Sequence, residues 1–285
     1  MKPARFEYHA PTTVDEALAI LQASGSDCRV LAGGQSLIPM MNFRLAAPAV
    51  IVDLNRIPAL AGIEDQGGLI LIGAMTRQRA IEFSAVVAEK LPLLHKAIKL
   101  VGHLPTRSRG TIGGSIANAD PAAEIPMVLQ ALDGEVVARG PNGQRTIAAS
   151  ELFVDAMTTS LAPDEIVTEV HLPAMPARAG CAIEEFACRH GDFAIAAVAV
   201  VVVREGDRCT RARIATAGVS SHSERLRAAE QVLERHGLGE RAILQAADAA
   251  AEIVNPLSDQ HASANYRRQL TRVLTERAVR RAAAA

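Results

Sequence analysis

The sequence predicts an α+β protein in which two small α/β units precede a domain of strands followed by helices. Upstream of the proline-rich segment 173–177, amphipathic helical segments alternate with short strands rich in valine, isoleucine and leucine. Downstream of it, three strand-like segments come first and three helical segments follow. With 285 residues, of which 49% are hydrophobic, the chain is long enough for two or three domains with separate cores.

The first unit contains a glycine turn at the end of a strand. Thr13-Val14-Asp15-Glu16 is a capping box that predicts a helix ending near Gly25. A strand, a helix and a second strand are then predicted over residues 29–31, 36–44 and 50–54. The first of these strands runs straight into Gly33-Gly34. Because ligands commonly bind at the carboxyl ends of strands in such layers, this turn is a candidate binding element.

The second unit mixes strands and helices. Strands are predicted over residues 69–73, 135–138, 144–147 and 165–172, and helices over 76–88, 91–101 and 122–132. We expect Thr76 to cap the first of these helices and Gly102 to begin a loop. Gly140-Pro141-Asn142-Gly143 separates the second and third strands, which predicts a hairpin turn.

The third unit has its strands before its helices. Strands are predicted over residues 181–189, 193–204 and 208–218, and helices over 223–236, 240–254 and 263–281. The turn Glu205-Gly206-Asp207 joins the last two strands. This arrangement predicts a separate β-then-α domain of ordinary size.

A second glycine segment runs from Arg107 to Glu124 and combines glycines, hydroxyls, two arginines and two carboxylates, which could form one side of a binding site. We expect Gly113-Gly114 to take positive φ and bring bare backbone against a ligand, with hydroxyl donors from Thr111 and Ser115. Successive N–H groups in such a turn form a concavity for an anion. Asp120-Pro121 is expected to cap the helix over 122–132. Together with the Gly33-Gly34 turn, the segment suggests a diphosphate held from two sides.

Several readings of these residues stay open at the level of sequence. A single Gly-Gly pair is usually only a tight turn. Arg107 and Arg109 either neutralise a diphosphate or hold the loop by pairing with Asp120 or Glu124. Glu124 faces either the ligand or water. The turns contain no Gly-x-Gly-x-x-Gly fingerprint and no P-loop motif. The sequence therefore does not support a Rossmann dinucleotide-binding fold or a P-loop.

Composition excludes other classes of function. A net charge of −1, only 3% aromatic residues and no tryptophan argue against a nucleic-acid binder. No apolar run approaches the length of a membrane span, so we expect no integral membrane segment. The first eleven residues lack the apolar core of a signal peptide, which favours a cytoplasmic location.

The metal-binding residue types also lack the required spacing. The four cysteines, Cys28, Cys181, Cys188 and Cys209, form no Cys-x-x-Cys pair, so we expect reduced thiols and no iron–sulfur cluster in this chain. The eight histidines include no pair at helical ligand spacing and none beside a nucleophile motif. We therefore predict no metal site and no catalytic acid, base or nucleophile.

The pattern of motifs resembles the FAD-binding medium subunits of molybdenum hydroxylases, the family of aerobic carbon monoxide dehydrogenase and xanthine dehydrogenase. The resemblance extends over essentially the whole chain. The segments that carry it are Phe6-Glu7-Tyr8 with Pro11, Leu31-Ala32-Gly33-Gly34-Gln35-Ser36-Leu37, Ile72-Gly73-Ala74 with Thr76, Arg109-Gly110-Thr111-Ile112-Gly113-Gly114-Ser115, Ala119-Asp120-Pro121-Ala122, Gly191-Asp192-Phe193-Ala194 and Tyr266-Arg267.

This resemblance implies a fold and a cofactor. The expected fold is the vanillyl-alcohol-oxidase-type (PCMH-type) FAD-binding fold, with two α/β subdomains at 1–56 and 57–176. A C-terminal domain at 177–285, made of a three-stranded antiparallel sheet and a helical bundle, would close over FAD. Residues implied to bind the diphosphate are Ala32, Gly33, Gly34, Gln35, Ser36, Leu37, Thr111, Gly113, Gly114 and Ser115. Asp120 and Glu124 would serve sugar hydroxyls, and Asp192 and Phe193 would approach the flavin.

Two positions depart from the family pattern. Relatives often have lysine in the strand where this chain has Glu185, and a negative charge there cannot make the same contact to an anionic reduced flavin. Relatives often have tyrosine where this chain has Phe193, which keeps the ring but loses the hydroxyl hydrogen bond. We therefore leave the strand of Glu185 out of the predicted cofactor site.

The function implied is that of an electron-transfer subunit. A large partner with a molybdenum cofactor would hydroxylate the substrate, and a small partner with two [2Fe–2S] clusters would relay electrons to FAD, in a dimer of heterotrimers. The redox chemistry would belong to the cofactor. Two alternatives stay open, namely a stand-alone FAD-dependent oxidase or reductase of the same fold and a non-catalytic nucleotide-binding module.

Overall fold

The computed structural model describes residues 2–206 and 208–285. Met1, at the start of the first predicted subdomain, and Asp207, in the predicted turn at 205–207, lie outside the described residues. The described chain contains a parallel sheet, two larger antiparallel sheets and a small hairpin.

The first sheet is parallel, in the order β1-β3-β2. Its elements are β1 (Glu7–His9), α1 (Val14–Ser24), β2 (Cys28–Leu31), α2 (Leu37–Asn42) and β3 (Val50–Asp53). Thr13 caps α1 as predicted, since its hydroxyl accepts from the N–H of Glu16 at 3.2 Å. The Glu16 carboxylate returns to the N–H of Thr12 at 2.8 Å, so the box closes one residue earlier than the motif implies. Leu31 pairs with Asp53, which brings the ends of β2 and β3 together.

The second sheet is antiparallel, in the order β4-β5-β10-β6-β7. Its strands are β4 (Ile63–Asp65), β5 (Leu69–Gly73), β6 (Glu135–Gly140), β7 (Gly143–Ala148) and β10 (Ile166–Pro173), and a separate hairpin joins β8 (Phe153–Asp155) to β9 (Thr158–Thr159). The predicted hairpin between β6 and β7 is confirmed. The helices are α3 (Gln78–Phe83), α4 (Ala85–Lys90), α5 (Pro92–Ala97), α6 (Leu104–Arg109), α7 (Ile112–Asn118), α8 (Glu124–Ala131) and α9 (Ala149–Leu152).

The predicted helix over 76–88 is wrong in its start and its continuity. It is two helices, α3 and α4, because Ser84 is extended and its hydroxyl caps α4 by accepting from Val87 N–H at 3.3 Å. Thr76 caps neither helix, since its hydroxyl both donates to and accepts from the backbone of Gly62 at 2.9 Å. The loop expected after Gly102 is also wrong, because α6 begins two residues later.

The third sheet is antiparallel, in the order β11-β12-β13-β14. It consists of β11 (Ala179–Phe186), β12 (Ala196–Glu205), β13 (Arg208–Ala217) and β14 (Glu224–Arg225), and the helices α10 (Arg227–His236), α11 (Glu240–Ile253) and α12 (Ala264–Ala284) cover it. The three predicted strands are present, and the prediction missed the two-residue β14. The predicted strand at 193–204 starts later, so Phe193 lies in the preceding loop.

Alternation along β12 buries both of its faces. Ala197, Ala199 and Val201 belong to the core shared with the second sheet and its helices. Val198 and Val200 belong to a second core, under the covering helices. This period-2 pattern explains the unbroken apolar run of the strand, because a strand buried on both faces has no solvent side.

An ion cluster anchors the third sheet to the end of α8. Asp133, which has a positive φ of 51°, accepts from Arg211 Nη2 at 2.6 Å and Arg213 Nε at 2.7 Å, and also from Arg225 Nη1. Burial alone would raise the pKa of Asp133, but the hydrogen bond from Arg213 and the charge of Arg225 lower it below its ordinary value. The cluster therefore fixes how the C-terminal sheet lies against α8. None of the helices in the described ranges is both long and apolar enough to cross a bilayer.

Candidate functional site

The first glycine turn offers unpaired backbone donors. It follows β2 directly, and Gly34 has a φ of 75°, which favours glycine. In residues 2–206 and 208–285, the N–H groups of Gly33, Gly34, Gln35 and Ser36 donate to no protein acceptor. Successive free N–H groups around a left-handed residue form a concavity that suits an oxyanion.

The second glycine pair has a different conformation from the one predicted. Gly113 and Gly114 do not take positive φ, because they lie in the first turn of α7. Thr111 is the N-cap, and its hydroxyl accepts from Gly114 N–H at 3.1 Å. Packing makes glycine necessary at position 113, since a Cβ there would lie 2.5 Å from the Cβ of Ala74. The Gly113 N–H also donates to the Ala74 carbonyl at 2.9 Å, which ties α7 to the exit of β5.

The two turns touch each other. A Cβ on Gly33 would lie 2.5 Å from the carbonyl oxygen of Arg109, and a Cβ on Gly114 would lie 3.2 Å from the Cβ of Ala32. The structure therefore brings together the two segments that the sequence separates by more than seventy positions. Glycine at these positions allows the close approach of two backbones.

A cleft of about 420 Å³ opens at this junction. It is lined by Leu31, Ala32, Gly33, Gly34, Gln35, Ile38, Pro39, Asn42 and Arg109. A second cleft, of about 460 Å³, shares Asn55 and Arg77 with the supports of the turns, but its other walls are mostly apolar and it contains neither turn. We assign the candidate site to the first cleft, because it holds the free N–H donors.

The two arginines of the second segment have separate roles. Arg107 is buried, and its Nε donates to Glu82 at 3.0 Å while its Nη1 donates to the carbonyl oxygens of Val101 and Gly102 at 3.0 and 3.2 Å. Arg107 therefore holds the loop before α6, as one alternative expected, but its acidic partner is Glu82 and not Asp120 or Glu124. Arg109 lines the cleft, so its guanidinium is available to an anion.

Asp120 is not the helix cap that the sequence predicted. The helix α8 begins at Glu124 with Ala123 as N-cap, and Pro121 lies in the turn before it. Asp120 Oδ1 accepts from Ala122 N–H at 2.9 Å, and in the described residues Oδ2 has no protein donor. Burial raises the pKa of Asp120. One carboxylate oxygen is thus left for a polar group of a ligand.

Glu124, at the start of α8, and Glu185, on β11, are two acidic residues near the second glycine segment whose charges interact. Burial raises the pKa of Glu124 to about 8, and the nearby charges of Glu185 and Asp120 add to this shift. Burial also raises the pKa of Glu185 to about 7. Near neutral pH the Glu124 carboxyl is therefore mostly protonated. The expectation of a simple negative charge at Glu185 needs correction, because this carboxyl also titrates close to neutrality.

Asp192 and Phe193 are exposed on the loop between β11 and β12. The neighbouring Gly191 has a φ of 86°, and a Cβ there would lie 2.4 Å from the ring of His103. His103 also stacks on His190, with ring centroids 6.3 Å apart. Since His103 precedes α6, this contact places the loop over the segment that leads into the second turn.

Sequence reasoning missed two residues behind the turns, Asn55 and Arg77. The Asn55 side chain donates to the Ala32 carbonyl at 2.9 Å, and Arg77 Nη1 donates to the Arg109 carbonyl. Their only sequence signal is position, since each follows the end of a strand at the edge where ligands bind. Of the residues described, no group of three or more His, Cys, Asp or Glu side chains is arranged to hold a metal ion.

Comparisons with known proteins identify the family of the chain. Residues 4–175 match the family model described as the FAD binding domain in molybdopterin dehydrogenase, and residues 182–282 match the CO dehydrogenase flavoprotein C-terminal domain. The chain is 42% identical over 283 residues to the 6-hydroxypseudooxynicotine dehydrogenase complex subunit alpha of Paenarthrobacter nicotinovorans, covering 99% of this chain and 96% of the relative.

Solved structures match the fold along its whole length. One is carbon monoxide dehydrogenase from Hydrogenophaga pseudoflava, in a form that lacks the Mo-pyranopterin moiety, with a TM-score of 0.98, 41% identity and coverage of 100% of this chain and 99% of that one. Another is quinoline 2-oxidoreductase from Pseudomonas putida 86, with a TM-score of 0.94, 33% identity and the same coverage. The expected relationship and the α+β architecture are confirmed.

Proposed function

Because the chain belongs to the family of FAD-binding medium subunits of molybdenum hydroxylases, we propose that it relays electrons from a partner subunit to an external acceptor through its FAD. The observation that carries this proposal is the contact of two glycine turns beside a cleft lined by Gly33, Gly34 and Gln35, whose backbone N–H groups meet no acceptor in the described residues. Such a donor set fits the oxygens of the FAD diphosphate.

Ala32, Gly33, Gly34 and Gln35 line the cleft, and we assign the other cofactor residues to the segments beside it. Ala32, Gly33, Gly34, Gln35, Ser36 and Leu37 would bind one side of the diphosphate, and Thr111, Gly113, Gly114 and Ser115 the other. The free oxygen of Asp120 suits a sugar hydroxyl. Glu124, being mostly protonated, can donate a hydrogen bond as well as accept one. Asp192 and Phe193 would lie over the flavin as part of the loop that contacts His103.

When bound, FAD would supply the two-electron redox chemistry. The chain itself binds and orients the cofactor. The buried Arg107–Glu82 pair and the contact of Gly113 with Ala74 keep the second turn in place without occupying the cleft. Around the turns the structure places backbone donors, hydroxyls and carboxyls, which serve binding. This chemistry suits an electron-transfer subunit.

The partners follow from the same proposal. A large subunit with a molybdenum cofactor would carry the substrate, and a small subunit with two [2Fe–2S] clusters would deliver electrons, in a dimer of heterotrimers in the cytoplasm. The relatives named above are called dehydrogenases or oxidoreductases of a pseudooxynicotine, of carbon monoxide and of quinoline. Since such different substrates go with one medium-chain fold, the substrate is set by the large partner.

The test is purification of a tagged chain from its native host. We expect two further chains to accompany it, one with molybdenum and one with iron, and a flavin band at about 450 nm. Carbon monoxide, N-heterocycles and aldehydes would be screened, and the correct substrate should bleach this band under anaerobic conditions. A yellow chain that purifies alone and oxidises a small substrate by itself would favour the stand-alone oxidase. A colourless chain, even with added FAD, would leave only the nucleotide-binding module.

A further inference from the structure

Asn55 connects the first glycine turn to the parallel sheet. It lies immediately beyond β3 and is exposed. Its Nδ2 donates to the Ala32 carbonyl at 2.9 Å, and its backbone N–H donates to Asp53 Oδ1 at 2.9 Å. Asp53 Oδ2 accepts in turn from the Tyr8 hydroxyl at 2.6 Å. The amide is thus anchored to the ends of two strands while it holds the turn.

Arg77 makes the corresponding connection to the second turn. Its backbone bridges to Thr111, the N-cap of α7. One end of its guanidinium, Nη1, donates to the Arg109 carbonyl, and the other end, Nη2, donates to Asn55 Oδ1. The planar guanidinium suits this geometry, because its donors point in fixed directions and span two acceptors.

These contacts form a single chain of bonds from one turn to the other. It runs from the Ala32 carbonyl through the Asn55 amide and the Arg77 guanidinium to the Arg109 carbonyl. The Arg109 carbonyl is also the atom against which Gly33 packs. The two bonds that reach the turns use carbonyl oxygens, so they leave the N–H groups of Gly33, Gly34 and Gln35 free.

We propose that Asn55 and Arg77 are positioning residues that set the separation of the two glycine turns and so the affinity for the diphosphate. This inference rests on the proposed FAD site and adds to it two residues, one that follows a strand of the first sheet and one that follows a strand of the second sheet. A tight pocket for a diphosphate requires the free N–H groups of the first turn and the hydroxyls of Thr111 and Ser115 to be held at a fixed distance. Contact between glycines cannot supply this alone, because glycine has no side chain with which to interlock.

The amide and guanidinium each have only one suitable orientation, which makes conservative changes informative. Asn55→Asp keeps an acceptor for Arg77 but loses the donor to Ala32. Arg77→Lys keeps the positive charge but loses the fork that reaches two acceptors. If Arg77 acted only through its charge, lysine would replace it. If it positions the turns, lysine would not.

The test uses the assembled complex, stripped of flavin and titrated with FAD, ADP and riboflavin. We expect Asn55→Asp, Asn55→Ala and Arg77→Lys each to weaken FAD and ADP binding by about tenfold or more, as loss of a hydrogen bond to a charged group implies. Riboflavin, which lacks the diphosphate, should bind as in the wild type. The double variant Asn55→Ala/Arg77→Lys should be no weaker than the worse single variant, because both changes break one chain of bonds.

The control is Arg56→Met, which removes a neighbouring exposed positive charge outside the bond chain. It should leave all three affinities unchanged. Unaltered ADP binding in Asn55→Ala would overturn the inference, as would wild-type ADP binding in Arg77→Lys; Asn55 is exposed, so its truncation leaves the core intact. Equal losses of riboflavin and ADP would also overturn it, because they would indicate general damage. Failure of the wild-type complex to bind FAD would instead refute the proposed function.

Discussion

The two glycine turns share a Gly-Gly pair and differ in what the glycines do. In the first turn, Gly34 has a φ of 75° and the neighbouring N–H groups are free. In the second, Gly113 and Gly114 are helical, and a Cβ on Gly113 would collide with Ala74. The first pair is needed mainly for backbone conformation, and the second pair for close packing. The same Gly-Gly sequence therefore stabilises the two turns in different ways, and mutations at each pair should have different effects.

The largest expected effect is at the packed pair. Gly113→Val places three carbons where a Cβ alone would lie 2.5 Å from Ala74, so we expect the free energy of unfolding to fall by about 3 kcal/mol. Chemical denaturation of the variant would measure this loss. Gly239→Val is the matched control, because nothing lies within 4 Å of a Cβ at Gly239. Equal stability of the two variants would remove the packing explanation of the second turn.

The next largest effect is a pH dependence of stability that arises near the second turn, which is followed in the chain by the buried acidic residue Glu124. Glu124 has a folded-state pKa of about 8, against an ordinary value of 4.5, so the folded protein holds more protons than the unfolded chain between these values. Its contribution to stability is fully present below about pH 4.5 and is lost as the pH rises through 8. Glu124→Gln should therefore raise the free energy of unfolding at pH 8.5 by about 2 kcal/mol relative to the wild type.

Denaturation curves at pH 5 and pH 8.5 would check this prediction. The exposed Glu151→Gln serves as control and should leave the pH dependence of stability unchanged. A wild-type slope that survives in Glu124→Gln would show that Glu124 does not carry the proton uptake.

A smaller stability effect is expected at the first turn. Gly34→Ala forces a side chain into the left-handed region, which costs about 1–2 kcal/mol. Its Cβ would also come within 3.2 Å of the Leu31 and Ile38 side chains. We expect FAD content to fall more than stability, since the free N–H groups would turn away from the cleft. Calorimetry and flavin absorbance on the same sample would compare the two losses. A variant with full FAD content would contradict the conformational role of Gly34.

The smallest effect concerns the cap of α7. Thr111→Val removes the hydroxyl that accepts from Gly114 N–H and should lower the free energy of unfolding by about 1 kcal/mol. Thr111→Ser should retain the wild-type stability, because it keeps the hydroxyl. A stable Thr111→Val variant would contradict the role of the cap, and a loss in Thr111→Ser equal to that in Thr111→Val would show that the methyl group stabilises as much as the cap does.

Local signals in the sequence predicted much of the fold. The capping box at Thr13, the hairpin turn at 140–143 and the three long strands of the C-terminal sheet depend on neighbouring residues, and each was found. The failures occurred where a distant partner competes for a side chain. Thr76 is a residue type that caps helices, but its hydroxyl is bonded to the backbone of Gly62 instead. Ser84 does cap a helix, and the apolar pattern around it did not indicate this.

The sequence was sufficient to predict which segments form the site, but not most of the contacts that these segments make. The glycine segments were identifiable from composition and from the family pattern. The helical conformation of Gly113 could not be predicted, because it depends on close packing against Ala74, which follows the end of β5. Asn55 and Arg77 were also missed, since their bonds to the carbonyls of Ala32 and Arg109 arise only when the two sheets meet.

The central claim is that the two turns together hold the FAD diphosphate, and the flavin content of Gly114→Val tests it most directly. A Cβ at this position would lie 2.7 Å from Thr111 Oγ1 and 3.2 Å from the Ala32 Cβ, at the contact of the turns. We expect the Gly114→Val complex to assemble with its partners but to carry much less FAD per chain than the Gly239→Val control. One FAD per chain in Gly114→Val would contradict it.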